Sequence, residues 1–555
     1  LSDEQQSSIA RNVKKTVSPL IAQLLSNRGI VTAEQIDLFL SPDERLLGDP
    51  FLLPDMKAAV ERINRALQAK ENIAIYGDFD ADGITATALL YEGLKSLGGN
   101  VIEYVPHRGD EGYGLNNNAL SYLAQQGTNL VVTVDSGVSA IAEVAEANRL
   151  GMDVVVTDHH TVPPKLPPAV AVIDPKRADS GYPFNDLAGV GVAYKLMQAI
   201  VSSPDKKEWL ESFLDLVVLG TVADMVSVLG ENRYLVKRGL EVLRRTKRVG
   251  IRELAKAAGV PVSAIDTDTI SWVLAPRLNA PGRLDHAGIG FKLLSTDSVE
   301  EAVHLAGILE NKNAERQRLT ESLVMKAKEK IVSEALDLPL IMVGGEDFHS
   351  GVVGVVAGKL ADEYYRPAVV FERGAEWTRG SARSVPQISI IGALSDCSDL
   401  LYRFGGHPMA AGFTVATNKL DELRSRLTAN VSAQTDLFNI HPHISIDAEV
   451  QLSDLEGDTF KKIQQLAPFG VANRYPTFLA RGVTVEDCRC VGNEGGHLKL
   501  KLIDSGTKWD AIAFRMGSLA SEVTQRLDIV FNLQIDEWRG RAAIQLNIID
   551  FAPGA

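Results

Sequence analysis

Cysteine is scarce in this 555-residue chain: Cys397, Cys488 and Cys490 are all there are. An isolated Cys-x-Cys with no second pair is a poor zinc site, and a few scattered thiols suit a reducing cytoplasm. Long apolar runs are also missing. The longest have the length of a strand, so no membrane span is expected. No charged-then-apolar leader precedes the first helical stretch, and secretion is not expected either. Nor is there an excess of basic charge, since the formal net charge is −14. A protein that coats polyanions indiscriminately would carry a basic footprint. A nuclease stays open, because acidic metal ligands depress the total while a groove remains locally basic. Repeats and low-complexity tracts are lacking. What is present is ordinary for a globular protein, 45% hydrophobic and 23% charged, and the length implies roughly three or four domains.

Short helices are expected over residues 1–48, with "VTAEQIDLFL" an amphipathic segment capped by its Thr. A pattern then recurs. "NIAIY" is followed by "GDFDADG", "LVVTV" by "DSG" and "DVVVT" by "DHH", while "LDLVVLGTVAD" runs from Leu214 to Asp224. The first three runs have strand length and β-branched character, with helical stretches between them, which predicts a parallel sheet flanked by helices. Asp residues stand where these strands would end, the place where open α/β sheets bind ligands. One such Asp reads as a turn residue or helix cap; four such places in one domain read as a site. Residues 299–335, free of Gly and Pro after Gly307, predict a long polar helix joining two bodies. A second α/β unit follows over 336–432, and short strands over 437–555 suggest a small β-barrel. The catalytic unit would then occupy 49–298.

The strongest constellation is Asp78, Asp80, Asp82, Asp135, Asp158, His159, His160 and Asp224. So many carboxylates repel one another, and divalent cations relieve that repulsion. Oxygen ligands with one imidazole suit Mn2+, and Mg2+ more weakly. Adjacent histidines leaving a strand point apart, so one would ligate and the other could touch the scissile phosphate. Two cations about 3.5–4 Å apart are a standard arrangement for in-line phosphoryl displacement.

"YGDFDADG", "TVDSG", "TDHH" and "GTVADM", in that order, resemble the four motifs of the DHH phosphoesterase superfamily, and "GGHPMAAGF" resembles the signature of its companion DHHA1 domain. The blocks "PHRGDEGYGL", "LAGVGVAYKL", "PRLNAPGR" and "GSARS" are similar to the RecJ branch, bacterial single-strand-specific 5′ exonucleases, and the match extends through an OB-type barrel. The resemblance implies metal ligands at Asp80, Asp82, Asp135, His159 and Asp224, His160 beside the phosphate, and Asp78 and Asp158 orienting ligands from behind. It implies hydrolysis of single-stranded DNA from a 5′ end with two Mn2+ ions, releasing 5′ mononucleotides in DNA repair and recombination. A single-strand-binding protein and a repair helicase are the partners it suggests.

Arg108, Arg277, Arg283 and Arg383 lie in Gly- or Pro-marked stretches read as loops. Alone, each would be a surface ion pair; the resemblance singles them out as phosphate contacts, with Ser381 helping Arg383 hold a terminal 5′ phosphate. Tyr113 is a stacking ring or a core residue, and His407 a phosphate contact or part of a structural Gly-rich turn. Two departures from the family pattern stand near expected DNA contacts: Phe348 where Trp is usual, and "FGVANRYP". Oligonucleotide or cyclic-dinucleotide phosphodiesterases of the same superfamily are the alternative, though they typically lack the barrel. Inorganic pyrophosphatases carry a His where this chain has Tyr76.

Overall fold

The computed structural model describes residues 17–106, 111, 114–201, 203–284, 288–333, 339–434, 440–536 and 543–554. Its first sheet comprises β1 (Asn72–Tyr76), β2 (Asn100–Tyr104), β3 (Leu130–Thr133), β4 (Asp153–Thr157) and β5 (Ala171–Ile173), all parallel, in the order β2-β1-β3-β4-β5. Alternate residues leave opposite faces. Ile73, Ile75, Val132 and Val155 join one core, while Ala74, Tyr76, Val131 and Val154 join another. Burial on both faces is why the runs read as continuously apolar. The order in which strands are added reverses between β1 and β3, and the crevice outside their carboxyl ends is where such sheets bind ligands.

The fourth apolar run differs from the strand-end pattern expected of it. Leu214–Ala223 is an α-helix buried all round, and Asp224 is its C-cap. Apolar character on every side marks a helix enclosed by other elements; here the helices Ala81–Ser96, Gly189–Ile200 and Gly230–Leu243 enclose it.

The long helix spans Val299–Ser333. Beyond it, β6 (Ile341–Gly345), β7 (Ala368–Arg373), β8 (Trp377–Arg383), β9 (Leu401–His407) and β10 (Ala410–Ala416) form a mixed sheet ordered β6-β7-β8-β10-β9. Helix Ser350–Tyr364 links the parallel pair β6 and β7. The C-terminal strands are β11 (Ala448–Glu449), β12 (Phe478–Val491), β13 (His497–Asp504), β14 (Thr507–Ala513), β15 (Arg526–Asp536) and β16 (Ala543–Pro553). Pairing runs β12-β13-β14-β16-β15, and β15 returns to β12, closing a five-stranded barrel. Trp509 packs partly buried against its core, Phe514 is 48% exposed, and Trp538 lies outside the described residues.

The N-terminal helices Pro19–Asn27 and Ala33–Leu40 pack into that barrel's core, with Leu24, Leu25 and Phe39 beside Leu455, Phe460 and Phe469 in one cluster. Thr32 caps the second helix as read, in a capping box with Gln35. Arg233, fully buried on helix Gly230–Leu243, bolts the bodies together. Its Nε donates to the Phe39 carbonyl at 2.6 Å, and Nη2 donates to Leu466 and Ala467 at 3.0 and 2.9 Å. Asn473, in the variant "FGVANRYP" stretch, turns its amide to the carbonyls of Leu466 and Pro468 and accepts from Arg28. That stretch is a joint between domains. Phe348 is wholly enclosed in core, beneath the Lys330 ammonium.

Candidate metal centre

Five of the carboxylates and both histidines converge at the switch point. Asp80 caps helix Ala81–Ser96, accepting from the amides of Asp82 and Gly83 at 2.9 and 3.1 Å. Asp82 reaches the start of helix Gly189–Ile200 and accepts from Gly189 and Val190 at 2.6 and 2.8 Å, where the helix dipole favours an anion. Asp135 leaves β3 in the left-handed region with φ 57°. A Cβ on Gly189 would lie 2.6 Å from the Cβ of Asp135, so only glycine lets helix and carboxylate approach. His159 follows β4. Its Nε2 is 3.0 Å from Asp135 Oδ1, 3.6 Å from Asp224 Oδ2 and 3.9 Å from Asp82 Oδ2.

These atoms fall into adjoining groups. Ligand atoms of Asp82, His159 and Asp224 lie within 4.8 Å of one another, as do those of Asp78, Asp80 and Asp135, and those of Asp135, His159 and His160. Asp135 thus belongs to two groups and touches the third. Asp78, read from the motif as an orienting residue, stands inside a group that can hold a cation. His159 Nε2 and Asp224 Oδ2 are buried without a hydrogen-bond partner among the described residues, an arrangement that costs free energy unless something occupies the space between them. Burial, then Asp82, lifts the Asp135 carboxyl well above the usual range; burial, then Asp82 and Asp80, lifts Asp224 to about 9. Burial and His160 hold the His159 ring neutral, with a pKa of about 3. A neutral imidazole among oxygen donors that resist ionisation together fits divalent cations.

Asp158 works behind this nest. Oδ2 accepts from Val138 N at 2.9 Å, and Oδ1 accepts from His159 N at 2.7 Å and meets His160 Nδ1 at 2.7 Å. Burial is the largest influence and opposes the His160 charge, but the bond to Asp158 and the charges of Asp158, Asp224 and Asp78 together outweigh it and raise the ring to about 9. His160 therefore stands as a cation at the mouth, its Nδ1 3.9 Å from Asp135 Oδ1.

Three contributions lie outside the metal motifs. Asn279 accepts the Ala81 amide at 2.7 Å and pins the motif loop from a distant helix. The Gly189 and Val190 amides hold Asp82. Asp174 follows β5, buried, and accepts from Lys176 N at 2.7 Å, its carboxyl raised to about 7 by burial. Asp174 left a signal of its own, since "AVID" repeats the pattern of strand then Asp, while Asn279 and Gly189–Val190 lie in the blocks "PRLNAPGR" and "LAGVGVAYKL", whose resemblance gave them no such role.

The basic residues are less uniform than the loop reading supposed. Arg277 and Arg283 lie on helix Ala275–Leu284, which continues through Pro281. Arg277 is bidentate to Glu310 of the long helix, at 2.5 and 3.2 Å. The Arg283 carbonyl lies 1.9 Å from where a Gly351 Cβ would be, so this helix abuts the start of Ser350–Tyr364 in the second α/β unit. Arg383 ends β8, its Nη1 3.3 Å from Ser381 Oγ, and the pair lies along the bare Gly354 of that helix. His407 ends β9, exposed; "GGHPMAAGF" is a β-hairpin rather than an irregular turn. Arg108 and Tyr113 lie outside the described residues. Tyr76 is a core residue whose hydroxyl donates to the Gly114 carbonyl.

Family models match in the same order as these bodies: the DHH family N-terminal domain over residues 72–221, the DHHA1 domain over 330–433 and the RecJ OB domain over 446–550. The chain is 38% identical to the single-stranded-DNA-specific exonuclease RecJ of Bacillus subtilis, across 97% of this chain and 68% of that one. The crystal structure of RecJ with Mn2+ from Thermus thermophilus superposes with a TM-score of 0.85 at 29% identity, covering 100% of this chain and 78% of that one. The Mg2+ complex from the same organism gives 0.79 at 27% identity, covering 100% and 77%. With its acidic nest, mixed second sheet and closed barrel in the matching order, the chain belongs to the RecJ family of single-stranded-DNA-specific exonucleases.

Proposed function

We propose that this chain is a metal-dependent exonuclease that shortens single-stranded DNA from its 5′ end. The observation that carries the reading is the set of adjoining donor groups at the switch point of a parallel sheet, Asp78, Asp80 and Asp135 in one and Asp82, His159 and Asp224 in another, with Asp135 Oδ1 3.0 Å from His159 Nε2. Asp82, His159 and Asp224 would hold one ion, Asp78 and Asp80 the other, with Asp135 between them. Mn2+ suits these donors, and Mg2+ less so. Such ions, when bound, supply positive charge for the phosphoryl oxygens and lower the pKa of an attacking water. The chain's own residues do the rest. Asp158 keeps His160 protonated and aimed, so that the imidazolium offers a proton and a positive charge to the scissile phosphate. The amides of Gly189 and Val190 fix Asp82. Ser381 and Arg383, hydrogen-bonded to one another, are suited to a terminal 5′ phosphate, which sets the polarity. The barrel guides the longer strand. The activity belongs to the cytoplasm, beside a single-strand-binding protein and a repair helicase.

A labelled single strand with Mn2+ tests the reading against its superfamily alternative. Release of 5′ mononucleotides progressively from the 5′ end is expected, with duplex DNA resistant. Preferential cleavage of dinucleotides or cyclic dinucleotides would instead favour the oligonucleotide phosphodiesterases. Arg383→Ala should cost more on 5′-phosphorylated than on 5′-hydroxyl strands; equal losses would remove Arg383 from the phosphate site.

A further inference from the structure

The second sheet is covered on one face throughout. Ala382, Ala411, Phe413 and Val415 point into a core shared with helices Ile390–Ser395 and Leu420–Gln434. On the other face, helix Ser350–Tyr364 and the long helix cover the β6 and β7 side through Ile341, Val343, Ala368 and Val370, and helix Ser350–Tyr364 also lies along the Ser381–Arg383 end of β8. The rest of the half formed by β8, β10 and β9 is open, with Arg379, Arg403, Gly405 and Gly412 exposed.

Strand register arranges that open half into rows. Ala410 lies between Arg383 and His407, Gly412 between Ser381 and Gly405, and Thr414 between Arg379 and Arg403. Trp377 stands opposite Ala416, and a register shift after Thr414 leaves Tyr402 free to meet it. The Trp377 and Tyr402 rings are 4.8 Å apart, tilted by 49°, and 44% and 75% exposed. Large aromatics side by side in solvent are uncommon in a chain with no use for them. The central column holds only small side chains, and a Cβ placed on Gly405 would meet nothing within 4 Å. Rows are two residues apart, so the floor runs for about 20 Å. Arg379 and Arg403 are exposed and make no ion pair or side-chain hydrogen bond among the described residues. Glu372 of β7 stands opposite Arg379 but accepts the Ser350 amide instead, so in a chain of net charge −14 the two guanidinium groups remain a local site for an anion.

We infer that the channel floored by Ala410, Gly412, Thr414 and Ala416 is an accessory binding site for single-stranded nucleic acid, with Arg379 and Arg403 on phosphates and the Trp377–Tyr402 pair stacking on a base. The ligand class follows from the combination. Arginines alone would take any polyanion, and exposed rings alone any apolar partner. Alternating guanidinium and π surface on a flat strip is what an unpaired strand offers partners for, and what a duplex, its bases already stacked, does not. The site begins one row beyond Ser381 and Arg383, so it extends the contacts of the proposed nuclease away from the terminal-phosphate pocket. It rests on that reading for the identity of its ligand.

Binding is measured with the full chain, in EDTA, using a phosphorothioate-linked single strand of about 20 nucleotides, long enough for several such contacts. Trp377→Ala/Tyr402→Ala should weaken binding about tenfold or more, and Trp377→Phe/Tyr402→Phe should restore most of it. Arg379→Ala/Arg403→Ala should flatten the dependence of log affinity on log salt by about 1.4, the release expected for two phosphates on a single strand. Neither pair should alter binding to a duplex of equal length. Each variant is first required to keep the melting shift that Mn2+ produces. Unchanged single-strand affinity and salt slope in both folded variants would overturn the site, as would equal losses on duplex. A failure of the chain to hydrolyse any strand would strike the nuclease reading alone, because this assay involves no hydrolysis.

Discussion

Asp135 sits in the left-handed backbone region and at the overlap of the ligand groups, so the substitution that tests it must respect both facts. Asn tolerates that backbone better than Ala. Asp135→Asn should leave the fold intact, cut turnover by more than about 100-fold, beyond what second-layer partners usually contribute, and remove a cation site from calorimetric titrations. Two undiminished sites would take Asp135 out of the centre. Asp82 and Asp224, lifted to about 7 and about 9, retain protons in the metal-free folded chain that an unfolded chain gives up near pH 4. A folded state that binds more protons loses stability as pH rises. The metal-free protein should therefore melt lower at pH 9 than at pH 6, and Mn2+ should raise the melting temperature more at the higher pH. Equal Mn2+ shifts at both would contradict the assignment. The acidic residues of the nest are legible in the sequence because Asp recurs where β-branched runs stop. The Asn279 contact and the amide pair at Gly189 are not, since each depends on which distant helix end arrives at the loop.

Among the elements, helix Ser350–Tyr364 shows how much of a surface is decided by absent side chains. Gly351 admits the Arg283 carbonyl, and Gly354 lies under Ser381 and Arg383, where an added Cβ would stand 3.0 Å from Ser381 Oγ and 3.4 Å from Arg383 Nη2. Gly354→Ala gains up to about 1 kcal/mol of helix propensity while crowding that pair. Thermal stability should hold, while preference for a 5′ phosphate over a 5′ hydroxyl falls several-fold in paired digests. An unchanged preference would mean that Arg383 has room to spare. The parallel sheet, the long helix and the barrel follow from periodicity and spacing alone. Leu214–Ala223 does not, because a segment buried on all sides has no polar face to betray its period. Arg277 and Arg283 escaped for a related reason: Pro and Gly suggest a loop, yet Pro281 is carried inside a helix packed against the long helix.

For the whole molecule, Arg233 is the bolt between catalytic body, N-terminal helices and barrel. Arg233→Met would strand the Phe39 and Ala467 carbonyls, while Leu466 and Pro468 keep the Asn473 amide, a cost of about 2 kcal/mol or more. Limited proteolysis should then release the N-terminal helices or the barrel, while Mn2+ still raises the melting temperature of the catalytic body. Resistance equal to that of the unaltered chain would show the bolt to be redundant. Deleting the barrel outright is a poorer test, since Leu24, Leu25 and Phe39 would lose the core that covers them. That shared core also sets a schedule for synthesis. Asn27 hydrogen-bonds Asp447, 420 residues further along the chain. At about 5–20 residues per second, helices Pro19–Asn27 and Ala33–Leu40 wait on the order of 20–80 seconds for their partner to leave the ribosome. During that interval the catalytic body can fold while the apolar side of these two helices stays uncovered, which makes them clients for chaperones until the barrel emerges.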